Sequence, residues 1–253
     1  MEKQLIVVIL AGGNGKRMES HRNSHAVIEE VGEVPMVARV VNQAARLIPR
    51  KLIVVVNENE LKVREELRKH SIEDDIEYIN QGPALGTGYA VNMCRHKLKR
   101  YNNAQTLIVP ANMPLITTKI MSEIVNKPGD IKIPYITKEN AGDMDRIKIV
   151  KGKFSKIITR EECCAKDLTN ENVCIGMYCI DNMLLCSNVQ FIQSYCNSNE
   201  EHIEEVINII KKRENVDINT LKIQLIQHIK VKRIRTPEDL KDINNYVDAL
   251  SLI

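Results

Sequence analysis

Between Lys3 and Asn126 the chain alternates between two kinds of segment, and this alternation restricts the possible folds more than any other feature. Apolar runs at Lys3–Ile9, Lys51–Val56, Ile76–Ile79 and Gln105–Val109 read as buried strands. Helical periodicity fills the gaps. Pro35–Ile48 places Val37, Val40, Val41, Ala44 and Ile48 on one face, with Pro35 in the first turn. Asn59–Lys69 is charged, and Asn57 or Asn59 can cap it. The loop Gln81–Gly88 opens a helix to about Leu98 that buries Ala90, Val91, Cys94 and Leu98, and Thr117–Asn126 forms another. Such alternation predicts a parallel sheet covered on both faces, with ligands at the carboxyl ends of its strands. The loops that follow the first, third and fourth strands converge at that edge, as a nucleotide pocket requires.

Beyond residue 130 the pattern changes. Ile131–Ile136, Arg146–Val150, Phe154–Ile158 and Val173–Ile180 predict short strands in an antiparallel excursion. Helices are expected near Asn182–Tyr195 and Glu201–Arg213, and late strands at Leu221–Leu225 and Lys230–Ile234. Thr236 caps a final helix, with Pro237 in its first turn and Glu238 and Asp239 near its positive end. Ala165–Asn172 and Asn197–Asn199 are expected to be mobile loops. With no repeat and no low-complexity linker, residues 1–253 are expected to form one domain, divided at 126/127 into two halves.

The loop after the first strand is Leu10-Ala11-Gly12-Gly13-Asn14-Gly15-Lys16-Arg17-Met18. Its glycines allow a tight turn whose N–H groups can face an anion, and Lys16 and Arg17 add positive charge. It is neither a Walker loop, which would close on Gly-Lys-Ser/Thr, nor the dinucleotide fingerprint, whose glycine spacing differs. A net charge of +3 is too mild to argue for nucleic-acid binding. No apolar run reaches membrane-spanning length, and the one near the start is too short for a signal peptide. The seven cysteines, an odd number with no Cys-x-x-Cys, read as core fillers of a reduced cytoplasmic protein, the vicinal Cys163-Cys164 pair included. Of six scattered histidines, only His25 falls on a motif loop.

Leu10–Met18 resembles the signature of the sugar-phosphate nucleotidyltransferases. Gln81-Gly82-Pro83-Ala84-Leu85-Gly86-Thr87-Gly88-Tyr89-Ala90 resembles the second motif of one branch, and Thr236-Pro237-Glu238-Asp239-Leu240 the segment closing the same pocket. That branch is the uridyltransferase domain of N-acetylglucosamine-1-phosphate uridyltransferase (UDP-N-acetylglucosamine pyrophosphorylase), and the likeness covers nearly the whole chain. It implies a Rossmann-like nucleotidyltransferase fold: a mixed, mostly parallel sheet flanked by helices, with a small antiparallel excursion on the sugar side. It also implies a reaction of nucleotide-sugar biosynthesis. The partners are UTP and a sugar 1-phosphate, with N-acetylglucosamine 1-phosphate the first guess, and the products are a UDP-sugar and pyrophosphate. The additional acetyltransferase domain of the bacterial enzymes is not matched, so no acetyltransferase activity is expected.

By this resemblance Leu10, Ala11 and Gly12 border uracil and ribose. Gly13, Gly15 and Arg17 face the triphosphate, and Gln81, Gly86 and Thr87 read the base. In the family, Mg²⁺ held by an Asp and an Asn, together with Arg and Lys side chains, neutralises charge. Here the Asp position falls at Asn112, the Asn position at Arg235, and the Lys position at Ser24-His25. The expected catalytic set is therefore Arg17, His25, Asn112 and Arg235, with Asn112 the one weak metal ligand, since an amide oxygen is a poorer Mg²⁺ ligand than a carboxylate and Arg is none. The family's sugar-side positions fall at Asp145, Thr159 and Cys174, where only the neighbouring Arg146 and Gly176 keep the family's residue. Two readings stay open: an active uridyltransferase with a rewired metal and sugar site, or a nucleotide-binding homologue that acts as a regulator or binding partner.

Overall fold

The computed structural model describes residues 3–15, 18, 26–70, 75–139, 142, 144–194 and 200–251. Along the chain run β1 (Gln4–Leu10), β2 (Glu30–Val31), β3 (Val34–Pro35), α1 (Met36–Ala45), β4 (Lys51–Val56), α2 (Glu60–Lys69) and β5 (Ile76–Asn80). Next come α3 (Thr87–Leu98), β6 (Ala104–Pro110), α4 (Thr118–Asn126), β7 (Ile131–Thr137), β8 (Arg146–Val150) and β9 (Lys153–Ile158). The chain finishes with β10 (Asn172–Cys174), β11 (Tyr178–Asp181), α5 (Asn182–Asn188), α6 (Ile203–Arg213), β12 (Ile218–Lys222) and α7 (Pro237–Ser251).

One ten-stranded sheet carries both halves of the chain, in the order β5-β4-β1-β6-β11-β7-β10-β8-β9, with β12 also paired to β7. β5, β4, β1 and β6 are parallel; β11 runs antiparallel to β6 and β7, and β8, β9 and β10 form the antiparallel excursion. Alternate residues of β1 serve opposite faces. Val7 and Ile9 join the cluster that holds α1, α2 and α4, whereas Ile6 and Val8 join the one that holds α3, α5 and α6. Consecutive strands are added to one side of β1 and then, with β6, to the other. The loop leaving β1 therefore opens at the point where the winding reverses, the usual ligand crevice of such sheets.

Several elements differ from expectation. Ile48 is 89% exposed at φ +51, because α1 stops at Ala45 and Ile48 belongs to the turn beyond it. Val173–Ile180 is two strands, not one, broken where Gly176 adopts φ +79. The helix expected to run from Asn182 ends at Asn188 and continues as 3-10 turns to Ser194. The late strand expected at Leu221–Leu225 lies at Ile218–Lys222. Lys230–Ile234 forms no strand: a 3-10 segment, Leu225–Val231, is followed by backbone that joins no sheet ladder. Its alternation of charged and apolar residues mimics a strand, yet Val231 enters the main core and Ile234 a separate cluster beneath α7. Lys16, Arg17, Ser24, His25, Tyr195 and Asn197–Asn199 lie outside the described residues.

Candidate active site

At the carboxyl ends of the parallel strands a cleft of about 380 Å³ separates the glycine loop from the segments before α6 and α7. Leu10, Gly12, Gly13 and Gly15 line it on one side, Gln81, Gly86 and Thr87 on another, and Asn112, Asp145 and Arg235 complete it. Ala11, Thr159 and Cys174 stand behind this wall: all three are buried and none lines the cleft.

Three amide side chains set the glycine loop. Asn59 Nδ2 donates to Ala11 O at 3.0 Å, Asn57 Nδ2 to Gly12 O at 3.1 Å, and Gln81 Nε2 to Gly12 O at 2.6 Å. In a trans peptide the C=O of one residue and the N–H of the next point in opposite directions. Pinning the Ala11 and Gly12 carbonyls inward therefore turns the Gly12 and Gly13 N–H groups away from the amides, as an anion cradle needs. Asn57 and Asn59 also exchange backbone-to-side-chain hydrogen bonds of 3.0–3.1 Å and form no side-chain cap on α2. Their expected capping role is thus replaced by bracing the loop. Gly12 must lack a Cβ, which would stand 2.7 Å from Gln81 Nε2, whereas a Cβ on Gly13 would meet nothing within 4 Å. Nε2 spends one of its two N–H groups on Gly12 O, which leaves the other N–H and the acceptor Oε1 for a ligand.

The second loop ties the first half of the chain to the second. Gly86 has φ +112, and a Cβ there would collide with the backbone of Glu201. Glu201 N donates to Leu85 O and Gly88 N to Glu201 O, both at 2.7 Å. Thr87 Oγ1 accepts from Ile203 N at 3.1 Å, satisfying a donor at the start of α6. This docking brings His202 and Glu204 to the cleft. Glu204 is buried and accepts from Tyr178 Oη at 2.6 Å. Burial, reinforced by Asp145, raises its pKa against the pull of the tyrosine hydrogen bond. Burial also pushes the neighbouring Cys174 thiol well up, so it stays protonated and unreactive.

Asn112 is clamped to the residue before Arg235, 122 positions along the chain: Asn112 Nδ2 donates to Ile234 O at 2.7 Å, and Ile234 N donates to Asn112 O at 2.8 Å. Asp239 fixes the far side, accepting from Arg235 N at 2.9 Å and Thr236 N at 3.1 Å. Burial would raise the Asp239 pKa, but these hydrogen bonds and Lys232 outweigh it and hold it below the usual carboxylate range. Asn112 Oδ1 is a single neutral oxygen and Arg235 repels cations, so this pair does not fit a protein-held Mg²⁺. Among the described residues no cluster of three or more His, Cys, Asp or Glu could supply a metal site instead.

Sequence reasoning missed Glu204, Tyr178, His202 and Arg233. The long-range docking that brings them to the site leaves no local pattern. The one available signal was the adjacency of Arg233 and Arg235 in the segment already singled out.

A solved structure from Bacillus anthracis, named "Putative Glucose-1-Phosphate Thymidylyltransferase" and in complex with sucrose, superposes with a TM-score of 0.72 at 16% identity, covering 96% of this chain and 94% of its own. The fold is therefore the Rossmann-like nucleotidyltransferase fold, with a mixed central sheet flanked by helices. The family profile described as a MobA-like NTP transferase domain matches residues 7–145, and the chain belongs to that family. An Acanthamoeba polyphaga mimivirus protein named "Probable UDP-N-acetylglucosamine pyrophosphorylase" is 27% identical over 253 residues, spanning 98% of this chain and 96% of the relative. The "Bifunctional protein GlmU" of Bacillus cytotoxicus is 30% identical over 81% of this chain but only 44% of its own length. The chain thus spans less than half of the bifunctional relative. No helix among the described residues is long and apolar enough to cross a membrane.

Proposed function

We propose that the cleft joins UTP to a sugar 1-phosphate, with N-acetylglucosamine 1-phosphate the leading candidate, releasing pyrophosphate. The observation that carries this reading is the braced loop: Gly12 and Gly13 N–H groups turned outward opposite the clamped Asn112–Arg235 pair. Gln81 Oε1 suits the N3–H of uracil, while Leu10 and Gly12 line the wall beside it. The attacking sugar phosphate is already anionic, so no general base is needed. Catalysis is alignment of its oxygen with the α-phosphorus, in line with departing pyrophosphate, together with charge neutralisation. Arg235 supplies positive charge on the side where relatives would use a metal ligand. Asp145 and Glu204 face the sugar. In this reading the chain forms one nucleotidyltransferase-like domain and works in the cytoplasm.

The poor fit of Asn112 and Arg235 to Mg²⁺ favours one second reading, a nucleotide-binding homologue with little turnover. Base choice tests what the two share. Heat stability measured with UTP, CTP, GTP and ATP should rise most with UTP, because a site with fixed polar groups rejects bases that leave them unpaired. Equal protection by ATP or GTP would overturn the uracil assignment.

A further inference from the structure

The extended segment before α7 sorts its side chains strictly. Lys232 turns to Asp239 and Asp242, both at 3.2 Å, Ile234 enters the core, and Arg233 and Arg235 line the cleft. Arg233 differs from its charged neighbours. Its Nε is buried without a hydrogen-bond partner, and among the described residues no carboxylate stands within ion-pair distance of it. Its place is nevertheless built. The Asn112–Ile234 hydrogen bonds fix the next residue's backbone, and Gly176 leaves room for the guanidinium: a Cβ there would stand 2.5 Å from Arg233 Nη1. Gly176 lies in the turn between β10 and β11, on the sugar side of the sheet.

A half-buried guanidinium with no counter-charge among the described residues is unfavourable for the folded protein unless a ligand completes it. We infer that Arg233 is a phosphate-binding residue that grips the phosphate of the sugar 1-phosphate through its N–H fork. This rests on the proposed uridyl transfer for the name of the ligand, but not for its charge. The position between the Asn112–Arg235 clamp and the turn at Gly176 selects the sugar-linked phosphate over the triphosphate of UTP. A guanidinium can engage two phosphate oxygens at once, which a lysine cannot do.

The test measures binding of inorganic phosphate and, separately, of UTP to the native protein, Arg233→Met and Arg233→Lys, with the melting temperature of each protein without ligand. Phosphate affinity should fall about tenfold or more in Arg233→Met and by less in Arg233→Lys, with UTP affinity held. Ligand-free Arg233→Met should melt no lower than the native protein, since it loses an unpaired charge and keeps the volume. Unchanged phosphate affinity in both variants, no phosphate binding by the native protein, or loss of UTP affinity instead would overturn the assignment. Arg233-dependent phosphate binding in a protein that binds no uridine nucleotide would uphold the anion site and refute the uridyltransferase reading. If Arg233→Met fails to fold, the residue is structural unless Arg233→Lys folds and shows the graded loss.

Discussion

A methyl group at Gly12 would stand 2.7 Å from Gln81 Nε2, 2.8 Å from its Cδ and 3.0 Å from the Val56 carbonyl carbon. The backbone cannot yield cheaply there, so the side chain must leave, and with it the hydrogen bond that fixes both the loop and the base-facing oxygen. Gly12→Ala is therefore expected to weaken UTP binding by about tenfold, the cost of one buried hydrogen bond with its orientation. Gly13→Ala, one residue on, meets nothing within 4 Å and should weaken UTP binding less. Isothermal titration of both variants checks the contrast, and equal losses would mean that the loop is not braced through Gln81. The sequence shows that glycines are needed here but not why. The partners of Gly12 lie 45 and 69 residues away, and Asn57 and Asn59 look like ordinary helix caps until the fold brings them to the loop.

Among the elements, α7 is one whose start was legible to the residue, as were those of β4, β5 and β8. Thr236 Oγ1 accepts from Asp239 N at 3.2 Å while Asp239 Oδ2 accepts from Thr236 N, a reciprocal cap announced by Thr-Pro-Glu-Asp. What the pattern could not show is that the same carboxylate holds Arg235 N, linking helix capping to the site. Because the folded Asp239 pKa is depressed, its stabilisation is present above the unfolded value of about 3.9 and is lost as pH falls through the lower folded value. Asp239→Asn should thus cost about 1 kcal/mol at neutral pH, with the deficit closing in strong acid. Denaturant unfolding across that range measures it, and a deficit independent of pH would show that the charge is not what matters. The buried runs β1 and β4 and the apolar face of α3 were readable because burial on both faces, or on one stripe, is a local pattern. The break at Gly176 and the 3-10 segment after Gln224 were not, since tertiary packing overrides an apparently continuous β pattern there.

At the scale of the molecule, one sheet positions two chemically different surfaces. The parallel half presents backbone N–H groups at the winding reversal, and the second half brings Glu204, its pKa raised by burial, beside Asp145. Between them the Asn112–Arg235 clamp is more positive by two charges than an Asp–Asn metal pair would be, which matches the charge of the divalent ion such a pair would hold. The central claim is that this cleft transfers a uridylyl group with Arg235 in part of that role. The initial rate of UDP-sugar formation from UTP and N-acetylglucosamine 1-phosphate, followed by mass spectrometry against Mg²⁺ concentration, tests it most directly. The native protein should form UDP-N-acetylglucosamine slowly and with a shallow Mg²⁺ dependence, and the double variant Asn112→Asp, Arg235→Asn faster and with a steep one. No UDP-sugar from any sugar 1-phosphate, or high native activity abolished by EDTA, would contradict the account.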